Sequence, residues 1–269
     1  MGVPNAKWGG GRAVIGMVHL LPLPGSPGFA GDMGRIFEAA KSDLEALVSG
    51  GVDAVIVENF GDVPYSTQPK EMARIAQASL TARLREICPI PMGVNVQFND
   101  WEAEWAIAYA CDCDFVRVEV LAENRMGPNG FCAPSGPEFA RMRARFPANV
   151  AVLADIQVKH TFPAADQPLD FTLSALCEAG ADAVICTGLV TGKSPDIDEV
   201  AHVRELAGTM PLLVGSGVNA QSIADYLAVA DGVIVGSSVK EDGKVTMPVD
   251  EMRVRNLVNA AREEVSCCD

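Results

Sequence analysis

Asp53-Ala54-Val55-Ile56-Val57 recurs in looser form as Asp114-Phe115-Val116-Arg117-Val118, Asp182-Ala183-Val184-Ile185-Cys186 and Asp231-Gly232-Val233-Ile234-Val235. Each copy is an aspartate followed by a short run rich in β-branched residues, the composition of a strand buried on both faces. Four further apolar runs, Val14–Val18, Met92–Val96, Val150–Ala154 and Leu212–Val214, alternate with these copies. They tend to follow proline, as in Cys88-Pro89-Ile90-Pro91 and Met210-Pro211. A signal that returns every second strand is what an evenly built closed barrel leaves in its sequence.

Amphipathic segments fill the intervals. In Asp32–Ser49, Ile36, Phe37, Ala40, Leu44, Leu47 and Val48 share one helical face, and Gly50-Gly51 stops it. In Gln68–Ile87 the face is Met72, Ile75, Ala76, Leu80 and Leu84. Asn99-Asp100 starts a helix carrying Trp101 and Trp105, Asp196–Leu206 follows Ser194-Pro195, and Val249–Val265 follows Pro248. No G-x-G-x-x-G follows the first run, which argues against an open doubly wound sheet. The expectation is an α/β chain forming a single (β/α)8 TIM barrel of eight parallel strands. Its one domain covers residues 1–269, with 1–12 as a flexible N-terminal segment, and the 269-residue length suits such a barrel.

Composition narrows the function classes. A net charge of −14 disfavours nucleic acid and anionic lipid as partners, while leaving room for a locally positive site. No apolar stretch approaches the roughly 18 residues of a membrane span, and Met1 to Arg12 lacks a signal-peptide core. The eight cysteines form no C-x-x-C pair, and Cys267-Cys268-Asp269 matches no lipidation signal. Scattered cysteines in a chain of this size suit a reducing compartment, so the cytoplasm is the expected location. Trp101 and Trp105 on an outer helix suggest an apolar face and a homo-oligomer, most simply a symmetric dimer.

In such barrels the active site lies at the C-terminal strand ends, where eight loops converge. The first strand end carries His19, the second Glu58-Asn59, the third Asn95 and Gln97, and the fourth Arg117 and Glu119. The fifth carries Asp155, Gln157, Lys159 and His160, and the sixth Thr187-Gly188. The last two end in Gly215-Ser216-Gly217 and in Gly236-Ser237-Ser238 with Lys240. Small residues there let backbone N–H groups approach an anion, and phosphate sites of this fold follow strands seven and eight. The plainer alternative is that these glycines only permit tight turns.

Glu58, Glu119, Asp155, Lys159, His160 and His19 are the candidate catalytic groups, because converging ionisable groups displace one another's pKa values. Asn59, Asn95, Arg117, Thr187 and Gly188 are the candidate substrate-binding residues. No cofactor is certain. The three carboxylates leave a divalent cation open, against the alternative that Arg117 and Lys159 neutralise them as structural pairs. Strand alternation would put Asp155, Gln157 and Lys159 on one face. Pro22–Gly31 and Asn124–Pro137, rich in proline and glycine, are long enough to act as lids, ordered loops or an oligomer contact.

Several of these motifs are long. Ile15-Gly16-Met17-Val18-His19-Leu20-Leu21-Pro22-Leu23-Pro24-Gly25-Ser26-Pro27 and Val57-Glu58-Asn59-Phe60-Gly61-Asp62-Val63-Pro64 resemble the BtpA/SgcQ family. So do Gly93-Val94-Asn95-Val96, Ala154-Asp155-Ile156-Gln157-Val158-Lys159-His160, Thr187-Gly188 with Thr191-Gly192, Gly215-Ser216-Gly217-Val218 and Gly236-Ser237-Ser238-Val239-Lys240. The resemblance runs from Val14 to Arg255, while Gln97-Phe98-Asn99-Asp100 and Cys111-Asp112-Cys113 diverge somewhat. It implies a barrel of the ribulose-phosphate-binding type. One branch of that family is linked to photosystem I biogenesis or stability, and another lies among sugar-metabolism genes and is described as nucleosidase-like. Three readings follow: an enzyme acting on a small phosphorylated sugar or nucleoside-like compound, a non-catalytic assembly factor, and a ligand sensor.

Overall fold

The computed structural model describes residues 12–67, 70–188 and 194–263. The segment before Arg12, Gln68, the Thr191-Gly192 pair and Cys267-Cys268 lie outside the described residues. Eight parallel strands form the barrel: β1 Ala13–His19, β2 Ala54–Glu58, β3 Met92–Asn95, β4 Phe115–Val118, β5 Ala151–Ile156, β6 Ala183–Thr187, β7 Leu212–Gly215 and β8 Gly232–Val235. Their order is sequential and β8 closes onto β1, giving the expected (β/α)8 barrel. The register sets His19 beside Glu58 and Glu58 beside Asn95, one row at the mouth.

The helices are α1 Met33–Gly50, α2 Glu71–Ile87, α3 Trp101–Ala110, α4 Gly136–Arg145, α5 Leu169–Glu178, α6 Ile197–Ala207, α7 Ile223–Leu227 and α8 Glu251–Glu263. Asp32, Asp100 and Asp196 cap α1, α3 and α6 with their side chains, satisfying amides that the first turn leaves free. Helix α8 begins later than Val249 because Asp250 takes the capping role, accepting from Met252 and Arg253 amides at 2.8 and 3.2 Å. Val249 forms an antiparallel bridge with Lys240 instead.

The recurring aspartates have one job, at the barrel end opposite the mouth. Asp53, Asp114, Asp182 and Asp231 each accept from the first amides of the preceding strand, at Val14 (2.8 Å), Met92 (2.9 Å), Val152 (2.8 Å) and Leu212 (2.8 Å). Each returns its own N–H to the carbonyl of that same residue. Each also meets an arginine from an even-numbered helix: Asp53 with Arg262 (3.1 Å), Asp114 with Arg85 (3.7 Å), Asp182 with Arg143 (3.9 Å), and Asp231 with Arg204. The repeat is thus a ring of four equivalent staples.

Between the sheet and the helices lies a continuous apolar layer, while Ile15, Met17, Ile56, Phe115, Leu153, Ile185, Leu213 and Ile234 fill the barrel interior. Gly93 makes room there: a Cβ would stand 2.2 Å from Phe115 Cε2.

One expectation changes, and the two long mouth-side segments prove ordered. Trp105 is buried and Trp101 half-buried, both packed edge-on against Phe139 of α4, so they form no outer apolar face. Asn124–Pro137, for which the sequence leaves a lid, an ordered loop or an oligomer contact open, contains regular structure. Its Arg125–Gly127 and Gly130–Cys132 pair as a hairpin, and Phe162–Pro163 adds to the former as a third strand. Met126, Phe131 and Phe162 are cross-strand neighbours and are exposed. Pro22–Gly31, with the same alternatives open, is anchored where Leu23 N–H donates to Asp62 at 2.7 Å.

Candidate functional site

At the C-terminal strand ends a cavity of about 910 Å³ opens between β1, β2, β4, the β7 and β8 loops and α8. His19, Glu58, Arg117, Lys159, Ser216, Gly217, Gly236, Ser237 and Ser238 all line it. Gly236 leaves room for His19, since a Cβ there would come 3.1 Å from His19 Cε1.

Arg117 organises the charges. It grips Asp155 with both arms, Nε to Oδ1 at 2.9 Å and Nη2 to Oδ2 at 2.8 Å, and its Nη1 lies 3.9 Å from Glu58 Oε2. Burial alone would lower the guanidinium pKa, but Asp155 first, then Glu58 and Glu119, raise it, so it is a fixed cation. Asp155 therefore answers Arg117, not Lys159. Glu119 extends beyond β4 and accepts from Asn99 N–H at 2.6 Å. Burial pushes its pKa up to about 8, against the pull of Arg117 and with the push of Asp155 and Glu58. Three carboxyl groups are thus arranged around a guanidinium. No group of three or more acidic, histidine or cysteine side chains disposed to hold a metal occurs among the described residues.

Two ionisable atoms among the described residues that line this cavity are left over. His19 Nδ1 and Glu58 Oε2 are buried with no hydrogen-bond partner. His19 stacks on Phe60 at 4.4 Å. Burial, then Lys240, Lys159 and Arg117, hold its pKa well below the usual imidazole value, so it is a neutral base. At the β7 and β8 loops, Ser216 and Gly217 have consecutive positive φ angles of 77° and 72°. The amides of Ser216, Gly217, Ser237 and Ser238 donate to no acceptor among the described residues. Ser238 Oγ is buried without a partner. Such loops are suited to an anion.

Other expected residues are placed elsewhere. Asn59 bridges two loops, accepting from Gln97 N–H at 2.7 Å and donating to Asp62 at 3.0 Å. Asn95 is buried against Glu104 (3.0 Å) and the Arg117 carbonyl (3.0 Å), behind the cavity wall. The shared face expected for Asp155, Gln157 and Lys159 is broken because β5 ends at Ile156 and Gln157 turns left-handed, with φ 49°. Gln157 N–H donates to Glu123 at 2.7 Å, and Lys159 returns to the cavity. His160 is exposed and not among the cavity-lining residues. Lys240 turns away to a buried pair with Asp43 of α1 at 2.8 Å. Thr187 Oγ1 accepts from Lys159 N–H at 3.2 Å and, with Gly188, faces a neighbouring cavity of about 1420 Å³. That space is larger, but none of the partnerless buried polar atoms lines it, and its Arg125 meets Glu123 at 3.6 Å. The reactive groups therefore belong to the smaller cavity. Phe60, Arg253 and Asn256, which sequence reasoning missed, also line it. Phe60 followed Glu58-Asn59 directly, whereas nothing in the α8 pattern marked the other two.

A family model described as the BtpA family matches residues 11–263. An uncharacterised protein of Thermococcus kodakarensis is 39% identical over 94% of this chain and 96% of its own. The photosystem I biogenesis protein BtpA of Synechocystis is 35% identical over 93% of this chain and 88% of its own. Among solved structures, phosphoribosyl anthranilate isomerase of Thermus thermophilus superposes with a TM-score of 0.59 at 12% identity, covering 94% of this chain and 100% of that one. Dihydropteroate synthase of Xanthomonas albilineans gives 0.61 at 15% identity, covering 95% and 93%. These two likenesses concern the fold. The sequence matches, which span nearly the whole chain, place it in the BtpA family.

Proposed function

We propose that the protein is an enzyme acting on a small phosphorylated sugar or nucleoside-like compound at the barrel mouth. One observation carries this reading: His19 Nδ1 and Glu58 Oε2, buried without a hydrogen-bond partner, share a cavity with Lys159 and the two serine-glycine loops. Leaving buried polar atoms unpaired is costly, so their retention points to a ligand that pairs them. In this reading the loops hold the phosphate, His19 and Glu58 carry protons, Arg117 and Lys159 stabilise developing negative charge, and Asp155 positions Arg117. The phosphoribosyl isomerase likeness concerns fold alone and leaves the reaction open.

The test is thermal shift with inorganic phosphate and sugar phosphates on the parent protein and on Ser237→Asp, whose added charge opposes an anion. Phosphate should stabilise the parent and lose that effect in the variant, because only ligands that prefer the folded state raise its stability. Equal stabilisation of both proteins contradicts the assignment. An assembly role like that named for the Synechocystis relative has no need of partnerless ionisable groups in a cavity. Self-association, if it occurs, would use the exposed Met126, Phe131 and Phe162 face, and light scattering at high concentration tests it. The described cysteines are free thiols, which fits a cytoplasmic setting.

None of the described helices is long and apolar enough to cross a membrane.

A further inference from the structure

We infer that Lys159 is a covalent nucleophile, whose amine adds to an aldehyde or ketone carbonyl in the mouth and forms an imine. This rests on the mouth being the reactive site and deepens that reading to a carbonyl substrate.

The geometry isolates this amine. Lys159 lines the same cavity as His19, Glu58 and Arg117. Among the described residues its ammonium has no ion pair, whereas Lys240 is held by Asp43 and Arg117 by Asp155. Both Asp155 oxygens bind Arg117, and Glu58, which makes no hydrogen bond through Oε2, stands 3.9 Å from the same guanidinium. Arginine keeps its proton in any such site, while lysine can lose one. The lysine is thus left beside a permanent cation without a carboxylate of its own. Burial first, then Arg117, lower its pKa, against the opposing pull of Glu58, Asp155 and Glu119. A desolvated lysine next to another cation is a recognised way to make an amine nucleophilic near neutral pH.

The step balances with groups that line the cavity. The nitrogen lone pair forms the C–N bond while the carbonyl π pair moves onto oxygen. His19 Nδ1 or Glu58 Oε2 carries the proton lost by nitrogen to that oxygen. The second amine proton follows as the C–O bond breaks, so the oxygen leaves as water and nitrogen ends double-bonded to carbon. No oxidant or reductant is consumed. The imine then draws electrons from the adjacent carbon, which opens aldol cleavage or proton transfer there. Arg117 cannot substitute, since a guanidinium has no free lone pair at accessible pH.

The experiment is reductive trapping on the full chain at about pH 7, where an ordinary lysine is free amine to roughly one part in 2,500. The probes are glycolaldehyde phosphate and glycolaldehyde, each with cyanoborohydride, and the adducts are located by peptide mass spectrometry. Lys159 should label at least about tenfold faster than the half-buried Lys41 and the exposed Lys244, a factor that corresponds to one pH unit of titration. Lys159→Arg should remove the fast adduct while keeping its positive charge. Labelling of Lys159 no faster than Lys41 and Lys244 by either probe overturns the proposal, whatever phosphate does to thermal stability. Fast labelling by both probes alike, with inorganic phosphate failing to compete, keeps the imine and removes the phosphate assignment. The parent protein supplies the decisive comparison, so the result stands even where the variant folds poorly.

Discussion

Replacing Asp155 by Asn tests whether the Arg117 pair is structural. Asp155 gives both oxygens to Arg117 at 2.9 and 2.8 Å, and both side chains are buried. Removing one partner of such a pair destabilises by about 3–5 kcal/mol, because the remaining charge is left uncompensated. Two features favour the low end. Glu58 remains 3.9 Å from the guanidinium, and asparagine still offers one carbonyl oxygen to it. The expectation is a loss of about 3 kcal/mol. With 269 residues and about 2.1 cal/mol/K of unfolding entropy per residue, that corresponds to a Tm lower by about 5 °C. Arg117→Met should lose more, since it strands Asp155 and Glu58 together. Urea unfolding and calorimetry of both variants beside the parent measure these changes. A loss below about 0.5 kcal/mol for Asp155→Asn, the range of ordinary surface changes, would refute the structural assignment and return Asp155 to the candidate proton carriers.

Glu119 predicts a pH dependence. Its folded pKa of about 8 exceeds the ordinary 4.5, so the folded state holds a proton that the unfolded state releases. The associated stability is complete below the unfolded value and is lost as pH rises toward 8, by up to about 1.4 kcal/mol per pH unit. Glu119→Gln should flatten this slope in urea titrations, and parallel curves for parent and variant would exclude the protonated acid. His19 has the opposite sign: its pKa is lowered in the folded state, so its share of stability is complete above the usual imidazole value and is lost as pH falls from that value through the lower folded one. Its ring NMR signals should not titrate through about pH 6.5, and an ordinary midpoint there rules out the neutral base. Asp182→Ala removes one staple, and the loss of its bond to Val152 predicts about 1 kcal/mol by denaturant unfolding. An unchanged midpoint would show the staple to be ornamental.

The barrel was legible because each strand is apolar on both faces and each second strand announces itself with an aspartate. The site was legible only in part. Strand alternation brought Arg117 to the mouth cavity, whereas Glu119, one residue past the end of β4, is buried against Asn99 and is not among the residues that line it. It failed at Gln157, where a left-handed residue ends the alternation after Asp155. Lys240 looked like a loop residue, but its partner Asp43 is far away in the chain, and no local pattern encodes such a pair. Trp105 read as exposed because Phe139, which covers it, comes from a later helix. Cys132 and Arg125 read as loop because three-residue strands leave almost no periodic trace.

The ring of four staples also bears on where this chain can be cut and rejoined. Arg262, near the end of the described chain, reaches Asp53 before β2 in the same way that Arg85 reaches Asp114 and Arg143 reaches Asp182. The last quarter of the sequence is therefore sewn to the first by the same stitch that joins every other pair of quarters. Chain order is then a convention of synthesis. A circular permutant opened between two quarters, with its former ends linked, would keep every stitch and should close into the same barrel, whereas a cut within a quarter would sever one.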